Sequence, residues 1–185
     1  MKALLCALLL LAAAASGALA ADPAGPEAGS VVLGAGAVYF VPGDGNGRWG
    51  PSVLGSYFFN ERVAAEGTLH YVNESYSGVT AHTGAAQASI LGLIGRGMFR
   101  IEPLAGVGYY GSRVEENSFH RNLGRFAVHA GVGLEAWLGQ QKVWSVDASW
   151  RHVWLHDLDA GTGPLQREGE QLNIGLNRKF GRVRR

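Results

Sequence analysis

Ionisable side chains recur at alternate positions in several stretches of the sequence. On the polar parity of these stretches lie Glu66, His70, Glu102, Arg125, His129, Glu135, Asp147 and Arg151. Alternate residues of an extended chain point to the same side, so each stretch would present its charges on one face. Buried charges must pair or be hydrogen-bonded. The pattern therefore predicts an internal ion-pair network, with a gated narrow pore and general acid–base catalysis as the alternatives.

Two of these carboxylates are expected to face each other. If the short turn "GQQK" sets the register of the segments on either side, Glu135 lies across from Asp147. Two opposed carboxylates repel unless a cation lies between them. Arg151 shares that face, and an Arg or His of a neighbouring segment is the other candidate.

The remaining histidines and acidic turns predict no metal site. His152 and His156 share a face, but four residues of extended chain separate them by about 13 Å, too far for one metal ion. The turns "HDLDAG" and "GDGNG" lack the spacing of a complete calcium loop, and ordinary turn formation explains their Gly, Asn and Asp residues. We therefore expect neither metal nor cofactor.

The N-terminal stretch "MKALLCALLLLAAAASGALA" predicts a secretory signal peptide over residues 1–20. It has an early Lys, an apolar run and a small-residue end. A retained anchor is the alternative, but a Pro/Gly-rich linker over residues 21–29 follows the run instead of a positive stop. Cys6 would be lost with the signal, so the mature chain would have no cysteine.

Charge and hydropathy restrict the partners. Loss of Lys2 reduces the 16 Lys and Arg to the number of acidic residues, 15, so no net charge favours nucleic acid. The length fits one domain. No later apolar run reaches the roughly 20 residues of a membrane helix. If the chain enters a membrane, it must do so as a closed barrel.

Eight extended segments follow one another, with long and short connections in alternation. We place them at 31–41, 50–60, 62–73, 86–99, 101–113, 125–138, 143–156 and 170–180. The predicted long connections are "PGDGNGR", "ESYSGVTAHTG", "VEENSFHRNLG" and "DLDAGTGPLQREG", and the short ones are "NER", "RIE" and "GQQK". Such alternation is typical of a membrane barrel with loops at one face and turns at the other.

Period-two patterning gives most segments one apolar and one polar face. "ASILGLIGRGMF" and "PSVLGSYFF" are apolar on both faces, which a soluble sandwich would also explain. Aromatic residues cluster near both ends of the segments, as in the two interfacial girdles of membrane barrels. The predicted girdle comprises Tyr39, Tyr57, Tyr71, Tyr109, Trp144, Trp150, Trp154 and Phe180.

In the order and spacing of four segments, the chain resembles the small outer-membrane β-barrels of the OmpA/OmpX type. The segments are "PLAGVGYYGSR", "FAVHAGVGLEAWL", "WSVDASWRHV" and "LNIGLNRKF", and the resemblance covers about residues 30–181. It implies an all-β fold, an eight-stranded antiparallel up-and-down transmembrane barrel. It also implies the outer membrane of a Gram-negative bacterium, with both termini periplasmic.

The resemblance also implies partners: lipopolysaccharide and phospholipid, and the barrel assembly machinery, which in this family recognises a terminal aromatic residue. Here Phe180 is followed by "GRVRR", whose residues 182–185 form a basic tail. We expect a monomer with a structural or interaction role through its surface loops. A narrow solute pore is one alternative.

A lipid A-modifying enzyme is the other alternative. The H-x-S-N signature of the deacylase family is absent, as is G-x-S-x-G, and Ser149 has the opposite parity to His152. We therefore expect no enzyme activity and name no catalytic residue.

Overall fold

The computed structural model describes residues 28–42, 47–76, 79–95, 98–116, 119–139, 142–157 and 168–181. The predicted signal peptide (1–20), almost all of the linker (21–29) and the basic tail (182–185) lie outside these ranges. Among the described residues, no helix has the length and hydropathy needed to cross a membrane.

Eight strands form one closed antiparallel barrel in which every strand pairs with its sequence neighbours and β1 pairs with β8. The predicted fold class, an all-β antiparallel up-and-down barrel of eight strands, is confirmed. The strands are β1 (Val31–Pro42), β2 (Arg48–Phe58), β3 (Val63–Tyr76), β4 (Val79–Gly92), β5 (Phe99–Glu116), β6 (Phe119–Leu138), β7 (Trp144–Asp157) and β8 (Glu168–Phe180).

The two ends of the barrel differ in what they carry. We call the end with the connections β2–β3, β4–β5 and β6–β7 the turn end. Strand β1 begins there and β8 ends there, since Val31 pairs with Phe180. The opposite end, with the other four connections, is the loop end.

The predicted alternation of connection lengths is wrong at the loop end. Only residues 77–78 separate β3 from β4, and only residues 117–118 separate β5 from β6. The stretches expected to be the second and third long loops are mostly strand, because their residues continue the hairpin pairing to Tyr76↔Val79 and Glu116↔Phe119. They lack an apolar face, which made them look like loops in the sequence.

These extended hairpins form a wall along one side of the loop end. Strand β7 ends at Asp157, which pairs with Arg125 of β6, whereas β5 and β6 remain paired through residues 119–124. At about 3.4 Å per residue, this part of β6 projects about 20 Å beyond the last pair with β7. The surface of the loop end is therefore partly a rigid sheet.

The predicted boundary between the fourth and fifth strands is also wrong. We expected a turn at "RIE", but Arg100 and Glu102 lie within β5, and β4 ends at Gly92. The connection occupies residues 93–98, with Ile94 and Ile101 forming an isolated bridge across it.

The faces of the barrel are reversed relative to a soluble protein. The exposed large apolar side chains, which are 37% to 59% accessible, include Val53, Leu69, Val107, Val132 and Ile174 on the outer face. The buried side chains inside include many polar and charged ones. An apolar exterior around a polar interior matches a lipid environment.

Candidate functional site

The interior of the barrel is the candidate site, and a layer of buried apolar residues lies at each end of it. The loop-end layer comprises Val38, Phe40, Val72, Ala85, Tyr110, Ala127, Val153 and Leu155. The turn-end layer comprises Val32, Phe58, Ala64, Leu91, Leu93, Leu104 and Trp137. Trp137 is the largest fully buried side chain. Eight strands leave an interior just wide enough for side chains, and here those of the two layers occupy it.

Between the layers, an ion pair spans the barrel. Arg151 of β7 donates from Nη2 to Oε1 of Glu66 on β3 at 2.6 Å. Both side chains are at most 9% exposed. In a ring of eight strands, β3 and β7 are diametrically opposite, so this contact links the two walls. Thr68 also donates to the same carboxylate oxygen at 3.1 Å.

A second cross-link is formed by two glutamines on opposite strands. Gln87 of β4 and Gln171 of β8 exchange hydrogen bonds of 3.0 and 3.1 Å. Tyr110 donates to Gln171 at 3.1 Å, and Arg151 donates from Nη1 to Gln87 at 3.1 Å. The network continues from Gln171 to Asn173 at 2.9 Å. The two cross-links are therefore parts of one network.

The carboxylates Glu135 and Asp147 are register partners, as the turn predicted. Glu135 accepts hydrogen bonds from Trp137 Nε1 and Ser145, both at 2.8 Å. Asp147 accepts one from Asn177 at 2.8 Å. Uncharged hydrogen-bond donors thus bind three of the carboxylate oxygens of this pair. Arg151, the cation expected for this pair, forms its ion pair with Glu66.

Arg100 is the buried cation closest to this pair in the register. It lies opposite Glu135 on β5 and is 6% exposed. The sequence interpretation missed it because the residue was assigned to a turn. Glu102, on the same inward parity, is buried as well.

The two predicted lumen histidines are buried but differ in their contacts. His129 Nε2 lies 2.8 Å from Ser89 Oγ, and its Nδ1 has no partner. His70 packs edge-on against Tyr110, with 5.7 Å between ring centroids, and neither of its ring nitrogens has a partner.

Arg125 lies nearer the loop end than the other predicted lumen residues. It is half-buried near the loop end of β6, where the register sets it beside Tyr110 and Asp157. The structure therefore brings Glu66 together with Arg151 and Glu135 with Asp147, while Arg125 lies beyond the loop-end layer.

Sequence reasoning missed the neutral members of the network. Gln87, Tyr110, Gln171, Asn173 and Asn177 are all at most 5% exposed. Uncharged amides are common on any surface, so only their inward parity could have identified them.

The predicted girdle residues all lie on the outer face. Tyr57, Trp144 and Phe180 are at the turn end. Tyr39, Tyr71, Tyr109 and Trp154 are nearer the loop end, and Trp150 lies midway along β7. Trp150 pairs with Val132 and Leu172 on its two neighbouring strands.

A polar cluster occupies the outer face at the loop end of β7 and β8. His152 contacts Glu170 through Nδ1 at 2.7 Å and Glu168 through Nε2 at 3.5 Å. Its ring packs edge-on against Trp154. The two carboxylates lie on opposite sides of the ring, and no group of His, Cys, Asp and Glu in the described ranges could hold a metal ion.

Comparison with protein families gives one match. The model of the outer membrane protein beta-barrel domain matches residues 4–180. No curated protein matches the sequence.

Solved structures of bacterial barrels share this fold. Neisserial surface protein A has a TM-score of 0.64 at 14% identity, covering 84% of this chain and 100% of its own. The N-terminal barrel domain of OprF from Pseudomonas aeruginosa has a TM-score of 0.61 at 15% identity, and the match covers 84% of this chain and 100% of that domain. The attachment invasion locus protein Ail of Yersinia pestis has a TM-score of 0.60 at 13% identity, and the match covers 83% of this chain and 99% of Ail.

Proposed function

Since the chain belongs to the family of outer membrane protein beta-barrel domains, we propose that it is a closed, non-conducting barrel that acts through the surface of its loop end. The turn end and both termini would face the periplasm. The observation that carries this proposal is the pair of buried apolar layers, one towards each end of the interior. A pore would require a continuous polar path, whereas Phe40 in one layer and Trp137 in the other are at most 5% exposed.

The closed interior predicts electrical silence. Purified protein reconstituted into a planar bilayer should show no steady conductance, because water is excluded from the apolar layers. Trp137→Ala empties the centre of the turn-end layer but leaves the loop-end layer intact. The Trp137→Ala variant should therefore also show no steady conductance. A large porin of 16 to 18 strands serves as the positive control.

Steady openings of the wild-type protein would contradict the closed barrel and favour the narrow pore. Openings confined to Trp137→Ala would show that the turn-end layer is the only seal.

The wall at the loop end supports a role in surface contact. It presents a sheet of paired backbone, which supports side chains more rigidly than a loop would. One similar barrel is named for attachment and invasion, and one of its structures contains the heparin analogue sucrose octasulfate. Those names concern that protein, but they support the same class of role here.

Surface display can be tested with single cysteines, because the predicted mature chain has none. Arg113→Cys lies on the outer face of the wall, and Glu61→Cys lies at the turn end; both positions are exposed. In intact cells, a membrane-impermeant maleimide should label the first variant and not the second. After permeabilisation both should react. The reverse pattern in intact cells would contradict the proposed orientation.

The other expectations fit this proposal. Lipopolysaccharide and phospholipid would surround the apolar outer face, and the assembly machinery would insert the chain as a monomer. No enzyme activity is proposed. Ser89 and His129 resemble part of a catalytic dyad, but they are 4% and 0% exposed and lie between the apolar layers. A lipid substrate has no path to them.

A further inference from the structure

Arg178 stands alone on the outer face of the turn end. It is exposed on β8, and the guanidinium carbon lies 5.5 Å from the ring centroid of Trp144 and 5.3 Å from that of Phe180. Its register partners are Trp144 and Leu33, the second of which is 53% exposed. The guanidinium is therefore held on an apolar surface between two aromatic rings.

Among the described residues, no carboxylate compensates the charge of Arg178. In the part of the chain that the structure describes, Arg178 makes cation–π contacts with the two rings, and it forms no ion pair with a carboxylate. The other described charged or histidine side chains on the outer face lie towards the loop end: His82, Arg113, Glu115, His152, His156, Glu168 and Glu170. On the described strands, the turn half of this face thus has one cation and no anion, and the exposed Glu61 and Arg62 lie in the β2–β3 turn.

The depth of Arg178 matches the headgroup region. Phe180 ends β8, and two residues of strand place Arg178 within about 7 Å of that end. An arginine at this depth extends its charged end towards the interface. A guanidinium binds phosphate with two parallel hydrogen bonds, and Arg178 is exposed.

We propose that Arg178, with Trp144 and Phe180, is a binding site for the phosphate of one inner-leaflet phospholipid. The site rests on the proposed orientation, in which the turn end faces the periplasm. The phosphate supplies the missing negative charge, and the acyl chains lie along apolar residues of β8 and β1 such as Leu176 and Leu33.

Lipid titration in detergent tests the site. Wild-type protein and Arg178→Gln are folded in a maltoside detergent, which has no phosphate, and titrated with phosphatidylglycerol. Native mass spectrometry measures the dissociation constant of the first bound lipid. Loss of one charged hydrogen-bond pair should weaken binding about tenfold. Arg113→Gln, an outward arginine at the other end, should bind as the wild type does.

Three further measurements identify the ligand. Diacylglycerol with the same acyl chains should bind weakly and equally to all variants. Inorganic phosphate should not displace the lipid at equal concentration. If Arg178→Gln does not fold, Trp144→Leu, which removes one flanking ring, should show a smaller loss.

Equal phosphatidylglycerol binding by wild type and Arg178→Gln would overturn the proposal. Displacement by phosphate alone would also overturn it, since the site would then not be specific for lipid. Because these titrations use detergent, an inverted orientation would affect only the maleimide labelling. Failure of the site and failure of the proposed function are therefore distinguishable.

Discussion

Replacing Arg151 by Met should destabilise the folded barrel by about 3–5 kcal/mol, the usual result of removing one partner of a buried ion pair. The substitution leaves the Glu66 carboxylate without its cation and Gln87 without one of its donors. Urea unfolding in lipid vesicles, followed by gel mobility without boiling, measures the change. The free energy of unfolding can be calculated only if the urea curves measured from the folded and from the unfolded protein coincide.

Two controls separate the buried charge from general damage. Adding Glu66→Gln to Arg151→Met removes the unpaired carboxylate, so the double variant should be more stable than the single one. Arg113→Met removes an exposed pair with Glu115, whose side chains are 58% and 36% accessible, and should cost less than about 1 kcal/mol. Equal losses for Arg113→Met and Arg151→Met would contradict the importance of the cross-barrel pair.

The second large effect is expected on the outer face. Val132 lies midway along the barrel part of β6, opposite Pro103 and Trp150, and is 43% exposed. Val132→Arg would place a charge in the hydrocarbon centre, which costs about 2–4 kcal/mol in outer-membrane barrels. The same vesicle unfolding experiment measures it.

The neighbouring residue is the matched control because it points inward. A Cβ added at Gly133 would lie 3.4 Å from atoms of Glu102 and Ser149, which is an ordinary contact distance. Gly133→Ser should therefore cost much less than Val132→Arg. Equal costs would contradict the assignment of inner and outer faces.

Period-two patterning predicted the faces well where the inward residues are polar. Strand β7 is the clearest case, with Trp144 and Trp150 outside and Ser145, Ser149 and Arg151 inside. The register of Glu135 and Asp147 also followed from the sequence, because a short turn fixes the pairing of the strands it joins.

The pattern failed where the interior itself is apolar. Leu91 and Leu93 belong to the turn-end layer, so the end of β4 is apolar on both faces and gave no signal for its boundary. Phe58 has the same effect on β2. The doubly apolar segments that resembled a soluble sandwich thus contribute three residues to the turn-end layer.

The cross-barrel contacts could not be predicted from any local pattern. They join residues distant in the chain, and their neutral amide and hydroxyl groups carry no distinctive sequence signal. The extended hairpins were missed for a related reason: outside the apolar band, a strand needs no alternation, so strand residues such as His82 and Asn122 looked like loop residues.

The cross-links between opposite walls also constrain the order of folding. Arg151 and Glu66 are 85 residues apart in the chain, and Gln87 and Gln171 are 84 apart. Contacts of such long range form slowly, because the cost of chain closure precedes the gain from the contact. Both links join strands that are diametrically opposite in the ring, so they require the sheet to be curled into the barrel. Until that moment the inward polar groups would face hydrocarbon without partners, which is costly. Closure of the barrel and satisfaction of its interior are therefore one late, cooperative event, and an incompletely closed intermediate in lipid is disfavoured.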